Sequence, residues 1–253
     1  MPIALQNNVV YGPIHSRRLG LSLGINILPT EAKFCLSNCL YCQYGWTELE
    51  KLKKTKLTPA WKLLQEIESA FDEKASEGLQ LDAISFCGNG EPTLHPELEL
   101  LAHEVKRLRN RYFPQVPITI LSDSSRVHYA HVRRSLTEFD ERFMKLDAGD
   151  EEIFHKINQP LSHVRFFSIV EGLRKLQDVT IQTCFIAAPV NTASDFAIES
   201  WIKTLSLIRP KAIHVYTVSR STADPSVMPV SFEELIYIAR RASLILGVPT
   251  KVF

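Results

Sequence analysis

The sequence has no long apolar run and almost no net charge. None of its apolar stretches approaches the roughly 20 residues that a membrane-spanning helix needs, so we expect no membrane anchor. Its 29 basic and 28 acidic residues leave a formal net charge of +1. That balance argues against nucleic-acid binding through bulk charge, although basic runs at residues 51–56 and 107–111 leave room for a local patch.

Cysteine is also scarce, with 5 residues in a chain of 253. An odd number, most of them clustered, is not the pattern of a secreted disulfide framework. Residues 1–10 carry no charged segment and no long apolar run, so no signal peptide is predicted. We therefore expect a cytoplasmic protein whose thiols are reduced.

Strand-like and helix-like segments alternate along the chain. Short apolar runs predict strands at residues 21–28, 82–87, 118–121, 142–146, 179–186 and 212–218. Amphipathic segments between them predict helices, and this alternation indicates a parallel sheet with right-handed crossovers. Because six units fall short of the eight in a full barrel, the prediction is a partial, open (β/α)6 barrel. A flat doubly wound sheet is the alternative.

No linker, low-complexity segment or repeat interrupts the alternation, so a single domain over residues 1–253 is predicted. It divides into a lead-in segment (1–20), a barrel core (21–220) and a C-terminal helix and tail (221–253). Thr58 is predicted to cap the first long helix, and the pair at residues 95–96 is predicted to open the next one. Residues 51–56 are predicted to form a solvated connector.

Three of the cysteines lie within a stretch of eight residues, at C-x3-C-x2-C spacing: Cys35, Cys39 and Cys42. Three thiolates on a short loop can bind one soft metal centre, either zinc or an iron–sulfur cluster. The next cysteine is Cys87, and no histidine lies on the loop. One position of the metal centre is therefore left open for another ligand. A structural zinc site completed by a distant residue is the alternative.

Polar residues gather where the predicted strands end, which is where parallel α/β folds bind their ligands. They are Gly88, Asn89, Gly90, Glu91 and Pro92 after the second strand, Ser122 and Asp123 after the third, and Lys145 and Asp147 at the end of the fourth. Gln182 lies on the fifth strand, and Arg220 lies past the sixth. In the lead-in, Arg17 and Arg18 either meet a carboxylate or phosphate group or form a solvated pair.

The cysteine spacing, with Tyr41 before the last cysteine, resembles the radical S-adenosylmethionine (SAM) superfamily. The resemblance implies that Cys35, Cys39 and Cys42 bind three irons of a [4Fe-4S] cluster and that the fourth iron binds SAM. It further implies reductive cleavage of SAM to methionine and a 5′-deoxyadenosyl radical, which abstracts hydrogen from a substrate. The electron would come from an external donor such as flavodoxin or ferredoxin.

Residues 88–92 resemble the glycine–glycine–glutamate–proline element of that family, with Asn89 standing between the two glycines. The resemblance implies that this segment binds the amino group of SAM. It also implies that the ribose and carboxylate of SAM meet Ser122, Asp123, Lys145 and Asp147, and that Tyr41 lies near the adenine. The alternative for the serine and aspartates is an ordinary role in turns.

Longer motifs are similar to a subgroup that includes the catalytic domain of the wyosine-base synthase, a tRNA-modifying enzyme. They lie at residues 16–20, 24–26, 41–44, 88–96 and 146–150. The resemblance implies a tRNA base as one possible substrate, with a small metabolite or a peptide as the others. A hypothesis from a different class is a zinc-stabilised protein that binds nucleic acid through its basic runs without catalysis. Cys87 and Cys184 are predicted to be small buried core residues.

Overall fold

In the computed structural model, which describes residues 2–161 and 164–253, nine strands form one sheet. In chain order they are β1 (Val10–Ser16), β2 (Gly20–Ile25), β3 (Ala83–Phe86), β4 (Ile118–Ser122), β5 (Glu141–Lys145), β6 (Val179–Ala188), β7 (Ala212–Thr217), β8 (Met228–Pro229) and β9 (Thr250–Val252). Their order across the sheet is β1-β2-β3-β4-β5-β6-β7-β9, and β8 pairs with β6. The neighbours from β2 to β7 are all parallel.

The six predicted strands are β2 to β7, and their sequential order confirms the partial, open (β/α)6 barrel. A doubly wound sheet would instead reverse its strand order in the middle. Eight α-helices accompany the strands within the described residues: α1 (Leu49–Lys54), α2 (Ala60–Ser76), α3 (Leu98–Tyr112), α4 (Ala130–Leu136), α5 (Glu151–Asn158), α6 (Phe166–Arg174), α7 (Asp195–Ile208) and α8 (Phe232–Leu246). None of these described helices combines the length and the apolar character of a membrane span.

The apolar core lies between the sheet and the helices outside it. Phe185 of β6 packs edge-on against Trp201 of α7, with ring centroids 5.1 Å apart. The opposite face of the sheet, inside the barrel, is more polar. There Ser85 exchanges hydrogen bonds with Ser22 (2.8 Å) and Thr119 (2.9 Å), all three side chains being buried. The barrel interior is therefore suited to a polar ligand.

Both edges of the parallel sheet carry strands that the sequence patterns did not predict. β1, in the predicted lead-in, runs antiparallel to β2, and β9, in the predicted tail, runs parallel to β7. β1 was predicted only as a connection because most of its residues are exposed and show no apolar alternation. β9 has only three residues, too few for a period to be visible.

The starts of two helices differ from the prediction, and at α2 a long-range contact replaces the local cap. α2 begins at Ala60, whose N–H donates to the Glu97 carboxylate (2.9 Å) rather than to Thr58. The Thr58 carbonyl instead contacts Nε2 of the buried His95 (3.0 Å). His95 precedes α3, which begins at Leu98.

The predicted connector at residues 51–56 is also partly helical, since it contains most of α1. By contrast, two other helices begin with local caps. Ser231 and Glu234 form a capping box at the start of α8, and the Ser194 side chain caps α7.

Candidate active site

The cysteine loop, which we define as residues 35–42, follows β2 and is held on both sides by backbone hydrogen bonds. Just before it, Phe34 N–H donates to the Asn89 carbonyl (2.7 Å) in the turn after β3. Within it, Leu40 N–H donates to the Ile157 carbonyl (2.9 Å) near the end of α5. The loop therefore lies at the carboxyl ends of the parallel strands, as predicted.

The three thiols of the loop are free, with Cys35 and Cys39 buried and Cys42 half-buried. Cys35 Sγ lies 3.4 Å from Asp123 Oδ2, and Cys39 Sγ accepts a hydrogen bond from Asn158 Nδ2 at 3.3 Å. Burial raises the pKa of Cys35 well above its ordinary value and that of Cys39 to about 12. Both thiols therefore need a nearby positive charge or a metal to lose their protons.

Lys33 supplies a cation beside all three thiols. Its side chain is buried, and Nζ donates to the Gly45 carbonyl at 2.7 Å. Burial lowers its pKa, but the neighbouring Cys42, Cys35 and Cys39 outweigh burial and the net shift is upward. Lys33 was not predicted as a site residue, because a lysine near a cysteine motif has no periodic signal that distinguishes it from a solvated one.

This donor set is suited to an iron–sulfur cluster. Three thiolates each bind a different iron of such a cluster, and a buried ammonium offsets part of their negative charge. Within the described residues, no group of three or more His, Cys, Asp or Glu side chains is arranged to hold a single metal ion.

The turn after β3 needs glycine at both of its predicted positions. Gly88 has φ +148° and Gly90 has φ +151°, a region that L side chains rarely adopt. A Cβ at Gly90 would lie 1.9 Å from the Phe34 carbonyl oxygen, and one at Gly88 would lie 2.5 Å from Asn26 Oδ1. The glycines thus allow the turn to approach the cysteine loop closely.

Asn89, which separates those glycines, has a structural reason for its departure from the double-glycine form. Its Oδ1 accepts from Gln6 N–H (2.7 Å), and its Nδ2 donates to the carbonyls of Gln6 and Pro29 (2.9 Å each). The residue is fully buried, so its amide joins three segments of the protein. Pro92, two residues further on than Gly90, begins a short 3-10 turn.

The Glu91 carboxylate is buried and accepts four hydrogen bonds from neighbouring protein groups. Oε1 accepts from the N–H (2.9 Å) and hydroxyl (2.6 Å) of Thr93 and from Ser122 Oγ (2.9 Å), and Oε2 accepts from Asp123 N–H. Burial and the nearby Asp123 charge raise the pKa of Glu91 well above its usual range. Ser122 therefore contacts Glu91, while the Asp123 side chain faces Cys35.

Asp147, at the end of β5, is the centre of a second buried cluster. Its Oδ1 accepts from Lys145 Nζ (2.6 Å) and from Cys184 N–H (2.9 Å). Its Oδ2 accepts from Asn158 Nδ2 (2.9 Å) and from the Tyr41 hydroxyl. Asp147 thus joins β5, β6, α5 and the cysteine loop, and it neutralises the lysine charge.

Lys145 lies between two tyrosine rings. Its Nζ is 4.9 Å from the ring centre of Tyr41 and 4.6 Å from that of Tyr216, and it donates to the Tyr216 hydroxyl at 2.7 Å. Tyr216, near the end of β7, was not predicted as a site residue, because it lies within an otherwise ordinary strand pattern. Asn158 was missed as well, since no motif marks the end of α5.

The two clusters are connected. Ser124 Oγ donates to the Lys145 carbonyl at 2.8 Å, which joins the turn after β4 to β5. A narrow cavity lies between them, and it is lined by Asp123, Lys145, Leu146, Asp147, Ala148, Phe154, Asn158, Phe166 and Ile169. A larger open cleft lies elsewhere, near Arg133 and Lys175, and no predicted site residue lines it.

Most charged groups of the basic runs pair with acidic neighbours. Lys51 pairs with Glu48 (2.7 Å), Lys53 with Glu50 (2.9 Å), Arg107 with Glu104 (2.9 Å), the buried Arg109 with Asp140 (3.3 Å) and Arg111 with Glu68 (3.2 Å). Lys54 and Lys56 form no salt bridge with a described residue. This pairing weakens the main feature that favoured a nucleic-acid-binding protein without catalysis.

The fold and the strand-end groups define an enzyme of the open α/β-barrel class with a cofactor site beside its first parallel strand. The chain belongs to the radical SAM superfamily, whose model matches residues 32–208. It is therefore a radical SAM enzyme, and its family implies the use of SAM and an iron–sulfur cluster.

Two curated relatives cover nearly the whole chain. A protein of Brachyspira hyodysenteriae named GTPase Obg is 28% identical over 97% of this chain, which spans only 36% of that relative. The UPF0026 protein MJ1312 of Methanocaldococcus jannaschii is 29% identical over 94% of this chain and 72% of its own length. This chain therefore spans only part of the length of either relative.

Solved structures with low sequence identity share the fold. A radical SAM methyltransferase from Sphaerobacter thermophilus superposes with a TM-score of 0.65 at 16% identity, covering 92% of this chain and 65% of its own. TYW1 with a lysine–pyruvate adduct bound gives a TM-score of 0.59 at 18% identity, covering 88% of this chain and 73% of its own. Both support the open-barrel architecture.

Proposed function

We propose that Cys35, Cys39 and Cys42 hold three irons of a [4Fe-4S] cluster whose fourth iron takes SAM. The observation that carries this proposal is the loop of three free thiols that follows β2, with the buried ammonium of Lys33 near them. When bound, the two cofactors supply reductive cleavage of SAM to a 5′-deoxyadenosyl radical, with the electron coming from an external donor such as flavodoxin or ferredoxin.

The chain's own groups would bind and orient SAM at the strand ends. The Asp123 carboxylate, beside Cys35, and backbone carbonyls of the turn at residues 88–92 would take its amino group, because both lie close to the cysteine loop. Glu91 and Ser122, which bond to each other, would fix the position of that turn.

Lys145 and Asp147 line the narrow cavity, and Tyr41 contacts both of them. These three side chains would face the adenine, ribose or carboxylate of SAM. Tyr41 and Lys145 both bond to Asp147, so the three side chains hold one another in place. Buried and mutually bonded side chains of this kind exclude water and limit movement around a reactive ligand.

The substrate we propose is a small anionic molecule rather than a nucleic acid bound by surface charge. The paired basic runs and the net charge of +1 support this choice over a tRNA base. One structural neighbour, TYW1, has a lysine–pyruvate adduct bound, so a small carboxylic acid has been accommodated on this fold.

The test compares anaerobically purified wild type with Cys39→Ala, a variant that loses one thiolate of the loop. Wild type should contain iron and sulfide and form 5′-deoxyadenosine from SAM with a strong reductant. The variant should lose the cluster and the product. Cys184→Ala, which removes a buried thiol outside the loop, is the matched control and should behave as wild type. Zinc in place of iron, or equal yields from wild type and Cys39→Ala, would refute the proposal.

A further inference from the structure

Arg18 reaches across the open side of the barrel. It lies in the turn between β1 and β2, at one side of the parallel sheet, yet its side chain contacts the strands at the other side. Its Nη1 donates to Gln182 Oε1 of β6 at 2.9 Å. Its guanidinium carbon lies 4.4 Å from the ring centre of Tyr216 on β7. The side chain is half-buried and is held in place by these two contacts.

The charge of Arg18 has no acidic partner among the residues that the structure describes. Gln182 and Tyr216 are neutral, and no carboxylate forms a salt bridge with the guanidinium. The nearby Lys145 differs in this respect, because its ammonium lies 2.6 Å from Asp147. A partly desolvated charge without a partner is unfavourable. An unpaired guanidinium in such a place therefore indicates a site for a ligand of opposite charge.

The surroundings of Arg18 inside the barrel are neutral and polar. Burial raises the pKa of Cys87 and Cys184 and lowers that of His214, and the charge of Arg18 lowers all three. The thiols and the imidazole are therefore uncharged near neutral pH. Lys145, with its charge offset by Asp147, shares the Tyr216 ring with Arg18. The unpaired positive charge is thus directed at the barrel interior, next to the proposed SAM groups.

We propose that Arg18, held by Gln182 and Tyr216, binds a carboxylate or phosphate group of the substrate inside the barrel. The proposal rests on the proposed function, since it names the class of molecule that the radical enzyme acts on. Only Nη1 is used by Gln182, so Nη2 and Nε remain to form the two parallel hydrogen bonds that a planar guanidinium makes with such an anion.

The experiment titrates inorganic phosphate and acetate separately, by calorimetry at constant ionic strength, into anaerobically reconstituted protein. One of the two anions should bind wild type, and the anion that binds better identifies the class of group. Arg18→Gln should raise its dissociation constant about tenfold or more, because charge-assisted hydrogen bonds are lost. Arg18→Lys keeps the charge but cannot form the two parallel hydrogen bonds. It should therefore weaken anion binding less than Arg18→Gln does.

Arg17→Gln is the matched control, because Arg17 is the exposed neighbour and contacts only Ser219 among the described side chains. It should bind the anion as wild type does. Anion binding that is independent of Arg18, or that falls as much in Arg17→Gln, would overturn the subsite. If Arg18→Gln does not fold by circular dichroism, Arg18→Lys carries the test.

The 5′-deoxyadenosine yield of wild type is measured in parallel. Arg18-dependent anion binding without SAM cleavage would refute the proposed function and support the subsite. SAM cleavage without Arg18-dependent anion binding would support the proposed function and refute the subsite.

Discussion

At the scale of single residues, Lys33 changes the chemistry expected of the cysteine loop. Buried thiols hold their protons, and a buried ammonium is itself unfavourable in isolation. Placed together, the cation and three thiolates stabilise one another's charged forms, which is the direction in which the pKa of Lys33 shifts. The loop is therefore prepared for a cluster that requires all three thiolates.

We predict that Lys33→Met weakens retention of the cluster. The uncharged side chain fills a similar volume but no longer offsets the thiolate charge, and the hydrogen bond to Gly45 is lost. Iron should transfer to a chelator several-fold faster than from wild type, as followed by the absorbance of the iron–chelator complex. Lys62→Met, at an exposed position of α2, is the control. Equal rates for Lys33→Met and wild type would contradict the role given to Lys33.

The buried His214 should lower the free energy of unfolding in mild acid. It is buried between Phe143 and Phe253, and burial followed by the charge of Arg18 lowers its pKa from 6.5 to about 4. The unfolded chain therefore takes up this proton first as the pH falls, and stability is lost between about pH 6.5 and 4. His214 should account for a loss of about 2 kcal/mol between pH 7 and pH 5.

Urea unfolding at pH 7 and pH 5 measures that loss, and His214→Gln should remove it while lowering stability at both values. His131→Gln, at an exposed position of α4, should keep the pH dependence of wild type. A His214→Gln protein with the full wild-type pH dependence would show that other groups are responsible.

At the scale of elements, the turn after β3 connects the fold to the site. Gly90→Ala would place a methyl group against the Phe34 carbonyl, in the segment that leads into the cysteine loop. We predict a loss of several kcal/mol in the free energy of unfolding, because the backbone must move, together with a lower iron content. Gly78→Ala, with φ +71° and open space around it, should cost about 1 kcal/mol and leave the iron content unchanged.

Urea denaturation and iron analysis of both variants check this prediction. If Gly90→Ala and Gly78→Ala lower the free energy of unfolding equally, the close contact between Gly90 and Phe34 does not explain the effect.

The same elements explain which parts of the fold could be predicted. The parallel strands β2 to β7 could be predicted because each is apolar and is followed by an amphipathic helix, a pattern that is local in sequence. The start of α2 could not be predicted, because its first N–H donates to Glu97, which lies 37 positions from Ala60. The positions of Lys33 and Tyr216 likewise depend on contacts between distant segments. Strand-end groups such as Asp147 were predictable, since the fold class itself brings them together.

At the scale of the whole molecule, a net charge of only +1 contrasts with an unpaired charge inside the barrel. Most charged groups of the basic runs pair with acidic residues, whereas Arg18 keeps its charge unpaired among the described groups of the interior. This distribution favours a small anion that enters the barrel over a polyanion that covers the surface. A tRNA substrate would have to be recognised mainly through base contacts at the strand ends.

This charge distribution predicts that tRNA binds weakly and with little dependence on salt. Binding of mixed tRNA should be weak at 150 mM salt and should change little at 50 mM, because few phosphates are neutralised and few counterions are released. Fluorescence anisotropy with labelled tRNA measures the slope of log affinity against log salt, which should correspond to no more than about two phosphate contacts. The double variant Glu68→Gln, Glu104→Gln removes the partners of Arg111 and Arg107 and should bind more tightly with a steeper slope. A wild-type slope equivalent to six or more contacts would instead indicate a nucleic-acid surface outside the basic runs.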